Sequence, residues 1–287
     1  MQYSLKEILE VAKENNFAVP AFNVSSIQML NGVMETCAQE QSPVIIEIHP
    51  TELEHVGDGF MEACKFWINN VKIPATLHLD HGGTLDDIRR GLRDGCHSVM
   101  IDASMKPYQE NIEITQKVVE MAHAVGVSVE AELGTIGNTR GDNEIDPDSV
   151  KYTDPEDAVE FVNQTDCDAL AVAIGTGHGL YPEGYYPKLK LDLLKEISQK
   201  VEVPLVLHGG SSNSDEEIQQ ACQMGINKVN ISSDIKVAFY LECREVLKNM
   251  KLREPKEIYP RCIEAMNKVI RHKIDIFGAK GAVKFYN

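Results

Sequence analysis

The sequence predicts an eight-stranded parallel α/β barrel, a (β/α)8 TIM barrel, and three observations carry that expectation. Eight short β-rich runs alternate with longer segments whose apolar positions recur at three- and four-residue intervals, the pattern of strands separated by helices. The strand runs are near-continuously apolar, as strands of a parallel sheet covered on both faces must be. No Gly-x-Gly-x-x-Gly follows the first run, so an open dinucleotide-binding sheet has no support. The 287 residues suit one barrel, and no low-complexity linker divides them, so the chain reads as a single domain spanning residues 1–287.

Taken in order, the first strand is expected at Ala18–Phe22 and is followed by a helix over Ile27–Gln39. Val44–Ile48 and Ala75–Asp80 are the next two strands, the latter leading to a helix at Asp86–Arg93. Ser98–Ile101 precedes the helical period of Asn111–Ala124. Ser128–Leu133 opens into Gly134–Thr153, rich in Gly, Asp and Asn and read as a long loop. Asp154-Pro155-Glu156-Asp157 then supplies helix-start chemistry ahead of Ala158–Asn163. Ala169–Ala173 opens into a second long loop, Gly175–Lys188, rich in Gly, Tyr and Pro; long loops in compact domains are usually functional. Leu205–Leu207 comes before Ser214-Asp215-Glu216-Glu217, a capping box for a helix at Glu216–Met224. Lys228–Ile231 is the last strand, and an extra C-terminal helix is expected at Glu257–Phe277.

Composition narrows the function. Hydrophobic residues at 43% and charged residues at 25% are the balance of a globular protein with a full-sized core. A net charge of −16 argues against nucleic acid or an anionic membrane surface as partner, because both would be repelled at long range. An anionic small molecule remains possible if donors cluster locally. The seven cysteines are scattered, with no C-x-x-C pair, and are expected to be reduced and mainly buried. The N-terminus lacks a signal-peptide pattern and no apolar stretch spans a bilayer, so the expected compartment is the cytoplasm.

Catalytic groups of a parallel barrel sit at the C-terminal ends of its strands. Three histidines fall there, each followed by glycine: His81 after Leu77-His78-Leu79-Asp80, His178 in Gly175-Thr176-Gly177-His178-Gly179, and His208 after Val206-Leu207. Three imidazoles with an open fourth position mark a catalytic zinc site. His55, His97, His123 and His272 lie in or beside helices and read as structural, while His78 shares the face of Asp80. Considered alone, Gly179, Gly209, Ser211, Asn230 and Ser233 are turn or cap residues as readily as an anion cradle.

The segments Phe17–Asn23, Leu77–Gly82, Val129–Gly134, Gly175–Gly179, Val203–Gly209 and Lys273–Gly278 together resemble the class II ketose-bisphosphate aldolases. That resemblance implies cleavage of a fructose- or tagatose-1,6-bisphosphate-like ketose to dihydroxyacetone phosphate and an aldehyde. It implies one catalytic Zn2+ per subunit on His81, His178 and His208. Asp102 and Glu132 match acidic residues near the metal, where a second divalent or monovalent cation can be held. Asp80 matches the acid/base acting on the C4 hydroxyl. Gly179, Gly209, Ser211, Asn230 and Ser233 match the residues holding the ketone-side phosphate, and Asn23, His49, Ser232 and Lys256 are further substrate candidates. The family is oligomeric, so a homodimer or homotetramer is expected. The chemistry agrees: breaking a bond beside a ketone creates an enediolate, which a Lewis acid stabilises, and a neighbouring carboxylate can take the hydroxyl proton.

Three positions depart from the family pattern. Arg140 stands where a loop glutamate exchanges the C3 proton, and an arginine is no base at neutral pH; Asp142 or Glu144 are the candidate substitutes. His49 replaces a serine after the second strand. Glu254-Pro255-Lys256 replaces an Asp-Pro-Arg that reaches in from a neighbouring subunit. The ketone-side phosphate site is therefore kept and the aldehyde side altered. This leaves two other readings beside the leading one: an aldolase for an unphosphorylated or carboxylated aldehyde, and a non-catalytic sugar-phosphate binding protein.

Overall fold

The computed structural model describes residues 1–135, 139–140, 144–145, 151–176, 188–210 and 213–286; of 139–140 and 144–145 only the backbone is described. Five strands come first: β1 (Val19–Asn23), β2 (Val44–Ile48), β3 (Ala75–Gly82), β4 (Ser98–Ile101) and β5 (Ser128–Leu133). A two-residue antiparallel pair, β6 (Thr139–Arg140) and β7 (Glu144–Ile145), lies within the segment read as a long loop. β8 (Ala169–Val172), β9 (Leu205–Leu207) and β10 (Ile226–Ile231) complete the set. The eight longer strands pair in parallel and close into a barrel in the order β1-β10-β9-β8-β5-β4-β3-β2, the expected (β/α)8 TIM barrel. All residues of these strands are buried except His81, which is half-buried.

The expected helices are present as α2 (Ile27–Gln39), α5 (Leu85–Asp94), α6 (Tyr108–His123), α7 (Pro155–Thr165), α9 (Asp215–Gln223) and α11 (Pro255–Ile276). Asp154 caps α7 as its sequence implies, accepting from the N–H groups of Glu156 and Asp157 at 2.9 and 3.2 Å. The box at α9 is only half made. Ser214 Oγ accepts from Glu217 N at 3.3 Å, but the Glu217 carboxylate meets the Ser214 hydroxyl rather than its N–H.

Five helices were not anticipated: α1 (Leu5–Glu14), α3 (Pro50–Val56), α4 (Asp58–Asn70), α8 (Leu191–Lys200) and α10 (Ser233–Val246). α1 closes the N-terminal end of the barrel. It buries Leu5, Ile8, Leu9 and Ala12, with Tyr3 N donating to Ala75 O and Lys6 N to Ser128 Oγ at the starts of β3 and β5. α11 lies against α10 and α2, and Gly32 of α2 leaves room for the Met266 Cε methyl, which would stand 2.5 Å from a Cβ there and would have to shift. All seven cysteines are free thiols and six are buried. Among the described residues no helix is long and apolar enough to cross a membrane.

Candidate active site

A cavity of about 530 Å³ opens at the C-terminal ends of the strands. Residues from β1, β3 and β10 and from the segments following β2, β4, β9 and β10 line it. Regular strand alternation would send Asp80 and His81 to opposite faces. At His81, however, the backbone turns left-handed, with φ +48°, and the pairing of β3 with β4 shifts register between Leu79 and Gly82. Both side chains consequently face the cavity. Gly82 permits this kink to sit against β4, because a Cβ there would lie 2.7 Å from the Met100 carbonyl oxygen.

Asp80, His81 and His208 each offer a ligand atom within 4.8 Å of the others, and His81, Asp102 and Glu132 do the same. The His81 and His208 rings meet edge to face with centroids 4.6 Å apart. His81 Nδ1 lies 3.2 Å from Asp102 Oδ2, whose other oxygen accepts from Ser104 N and Oγ at 3.1 and 2.7 Å. His208 Nε2 is 2.8 Å from Glu130 Oε1, and its Nδ1 is 3.3 Å from Glu132 Oε2. Two imidazoles among buried carboxylates, with the Glu132 Oε2 atom buried and making no hydrogen bond, suit a divalent cation.

Asp80 is gripped from both sides: Asn23 Nδ2 donates to Oδ2 at 2.8 Å and Asn230 Nδ2 to Oδ1 at 3.1 Å. Burial would raise its pKa, but His81, His208 and Lys228 outweigh that and hold the carboxyl well below the usual carboxylate range. Burial likewise opposes a charge on His208, yet its hydrogen bond to Glu130 and the adjacent Glu132 carboxylate push its pKa up to about 10. His81 is raised too: burial lowers it, and Asp80 and Asp102 more than reverse the effect.

Beneath this level lies a second buried layer. Lys228 Nζ sits 2.7 Å from both Glu47 Oε1 and Glu130 Oε2, the contact to Glu47 being an ion pair without hydrogen-bond geometry. Burial raises the Glu47 pKa to about 8, with Asp80 adding to the effect. His78 meets Ser98 Oγ at 2.7 Å, and burial lowers its pKa to about 3.

Opposite β3, Gly209 (φ +69°), Asn230, Ser232 and Ser233 line the wall. Ser233 is the first residue of α10, whose N-terminus carries no side-chain cap and faces the cavity. On the outer rim, His49 caps α3, its Nδ1 accepting from Thr51 N at 3.2 Å. Lys236 of α10 crosses to Glu52 of α3 and donates to Ser232 Oγ at 3.0 Å.

The sequence profile of the family described as class II fructose-bisphosphate aldolase matches residues 3–282. This chain belongs to that family. Among solved structures, the YdjI aldolase from Escherichia coli K12 is 32% identical, with TM-score 0.86 over 98% of this chain and 99% of that one. A putative fructose-1,6-bisphosphate aldolase from Coccidioides immitis is 26% identical, with TM-score 0.85 over 98% of each chain. The fold is also that of a fructose-bisphosphate aldolase from Campylobacter jejuni, 23% identical, with TM-score 0.82 over 98% of this chain and 96% of that one.

Of the residues the aldolase resemblance singled out, Asn23, His49, Asp80, His81, Asp102, His208, Gly209, Asn230, Ser232 and Ser233 all line the one cavity. Glu132 is buried beside it. Asn230 enters through its hold on Asp80, a contact the phosphate assignment did not foresee. Lys256 is exposed in the first turn of α11 and is not part of the cavity lining. His178, Gly179, Ser211 and Asp142 lie outside the described residues, as do the side chains of Arg140 and Glu144. Sequence reasoning missed Glu47, Glu130, Lys228, Glu52 and Lys236. The first three carried a signal, since charged residues two apart from Asn230 or Glu132, or inside an apolar strand, point into a barrel rather than to solvent.

Proposed function

We propose that this class II aldolase family member reversibly cleaves a ketose 1-phosphate, or a ketose 1,6-bisphosphate, to dihydroxyacetone phosphate and an aldehyde. The observation that carries this reading is the convergence of Asp80, His81 and His208 in one cavity that also takes the uncapped N-terminus of α10. His81, His208 and, from the sequence, His178 would hold a zinc ion. Asp102 and Glu132 stand ready to balance its charge or to hold a second cation. When bound, the ion would supply a Lewis acid for the negative charge on the ketose oxygens. Asp80, ionised and oriented by Asn23 and Asn230, takes the C4 hydroxyl proton and returns it in the condensation direction. The phosphate is received by the first turn of α10 with Gly209, Asn230 and Ser233; the family resemblance of the sequence adds Gly179 and Ser211 to this set.

A second reading, an unphosphorylated aldehyde product, is favoured by Lys236. It is the single Lys or Arg among the described lining residues, and Glu52 already neutralises it. A 6-phosphate would find no uncommitted cation on this wall. The family resemblance further supports a cytoplasmic homodimer or homotetramer.

The test is a coupled assay of dihydroxyacetone phosphate release across a panel of ketose phosphates. Chelation should abolish release, and zinc or cobalt should restore it. Full activity in a metal-free preparation, or trapping of the substrate by borohydride, would overturn the mechanism. Binding of ketose phosphates without turnover of any of them would leave the chain a sugar-phosphate binding protein.

A further inference from the structure

We infer that Lys228 is a positioning residue for the metal centre: acting through Glu130, it fixes His208 with Nδ1 turned toward the space shared by His81 and Glu132. The inference rests on the metal-dependent reading above. Lys228 is fully buried on β10, yet its ammonium lies within 2.7 Å of two carboxylates from other strands, Glu47 on β2 and Glu130 on β5. The Glu130 oxygens divide their work, Oε2 on Lys228 Nζ at 2.7 Å and Oε1 on His208 Nε2 at 2.8 Å. Three strands and the residue that follows β9 are thus tied by a continuous chain of close polar contacts, Glu47–Lys228–Glu130–His208.

Fold stability does not account for this chain. Taking ions out of water costs several kcal/mol each, and packed apolar residues of similar volume usually serve a core as well or better. What the chain does achieve is directional. A carboxylate held at Nε2 accepts a hydrogen bond from it, which places the ring hydrogen on Nε2 and leaves the Nδ1 lone pair on the other side. On that side Nδ1 lies 3.3 Å from Glu132 Oε2, and Glu132 shares a cation-sized space with His81 and Asp102. Without the Lys228 ammonium, Glu130 Oε2 loses its hydrogen-bond donor and keeps only the longer contact to His78 Nε2 at 3.6 Å, so the carboxylate that aims His208 is held less firmly.

The experiment measures zinc affinity of the folded, full-length protein by competition with a chromogenic chelator, for the wild type, Lys228→Met, Lys228→Arg and Glu130→Gln. Lys228→Met keeps most of the side-chain volume and should weaken zinc binding about 10–100-fold, the usual effect of losing a partner that orients a ligand. Lys228→Arg should recover part of it. Glu130→Gln, which alters a single group and carries the test if Lys228→Met does not fold, should weaken binding similarly. The double variant Lys228→Met/Glu130→Gln should be no weaker than either single one, because both act on His208 by one route. If the variants fold with a lowered melting temperature but bind zinc within twofold of wild type, Lys228 is purely structural and the inference is overturned. A wild type that holds no divalent cation overturns the functional reading along with it.

Discussion

Asp80 and His81 carry the site at the scale of single residues, and they do so through one backbone angle. A residue other than glycine in the left-handed region costs about 1–3 kcal/mol and persists only where its surroundings enforce it. Here the His81 contact to Asp102 and the tight seat of Gly82 against Met100 O provide that enforcement. The identities of Asp80, His81 and His208 were legible in the sequence as strand-end residues. The kink was not, because strict alternation would have separated Asp80 from His81, and nothing in Leu-Asp-His-Gly-Gly announces a left-handed histidine. Asp80→Asn tests the acid/base role with little steric change. It should retain zinc and leave KM for the ketose phosphate nearly unchanged, while kcat falls by about 10²–10⁴-fold. Steady-state kinetics with a parallel zinc determination check this; cleavage at the wild-type rate would remove Asp80 from the mechanism.

The elements that shape the rim were the harder ones to read. α3 is seven residues long and buries only Leu53, so it offers too little periodicity to be seen. α10 buries Ile235, Phe239 and Val246 but leaves Val237, Tyr240 and Leu241 exposed, so apolar residues surround the helix and mask its period. Yet these two helices supply the Glu52–Lys236 pair that bridges the cavity mouth above β1. The pair decides what charge the aldehyde end meets. Glu52→Gln leaves Lys236 with Ser232 as its described partner and turns a neutral wall cationic. In the condensation direction with dihydroxyacetone phosphate, kcat/KM for glyceraldehyde 3-phosphate relative to glyceraldehyde should then rise by about tenfold, the worth of one charge-assisted hydrogen bond. An unchanged ratio would place the aldehyde away from Lys236.

At the scale of the whole molecule, the barrel concentrates ionisable groups at its centre while the chain as a whole carries a net charge of −16. The parallel strands were legible because burial on both faces leaves near-continuous apolar runs, and Glu47, Glu130 and Lys228 were overlooked for the same reason: each sits inside a run that is otherwise mostly apolar, Glu130 sharing its strand with Glu132. Their collective effect is measurable as proton linkage. In the metal-free protein the carboxylates around His208 raise its pKa from 6.5 to about 10, and His81 is shifted in the same direction. A group whose folded pKa exceeds its unfolded value stabilises the fold fully below pH 6.5 and loses that contribution as pH rises toward 10. A cation ligated by the two rings requires both to be neutral, so zinc binding at pH 7 should expel on the order of one to two protons. Calorimetric titration of zinc in buffers of differing ionisation enthalpy reads that number directly, as the slope of observed against buffer enthalpy. The same exchange should flatten the decline in stability between pH 6.5 and about 10, because the cation takes over the charge that the protons supplied. A zinc enthalpy independent of the buffer would mean that His81 and His208 are already neutral without metal, and that the carboxylates around them serve the cation alone.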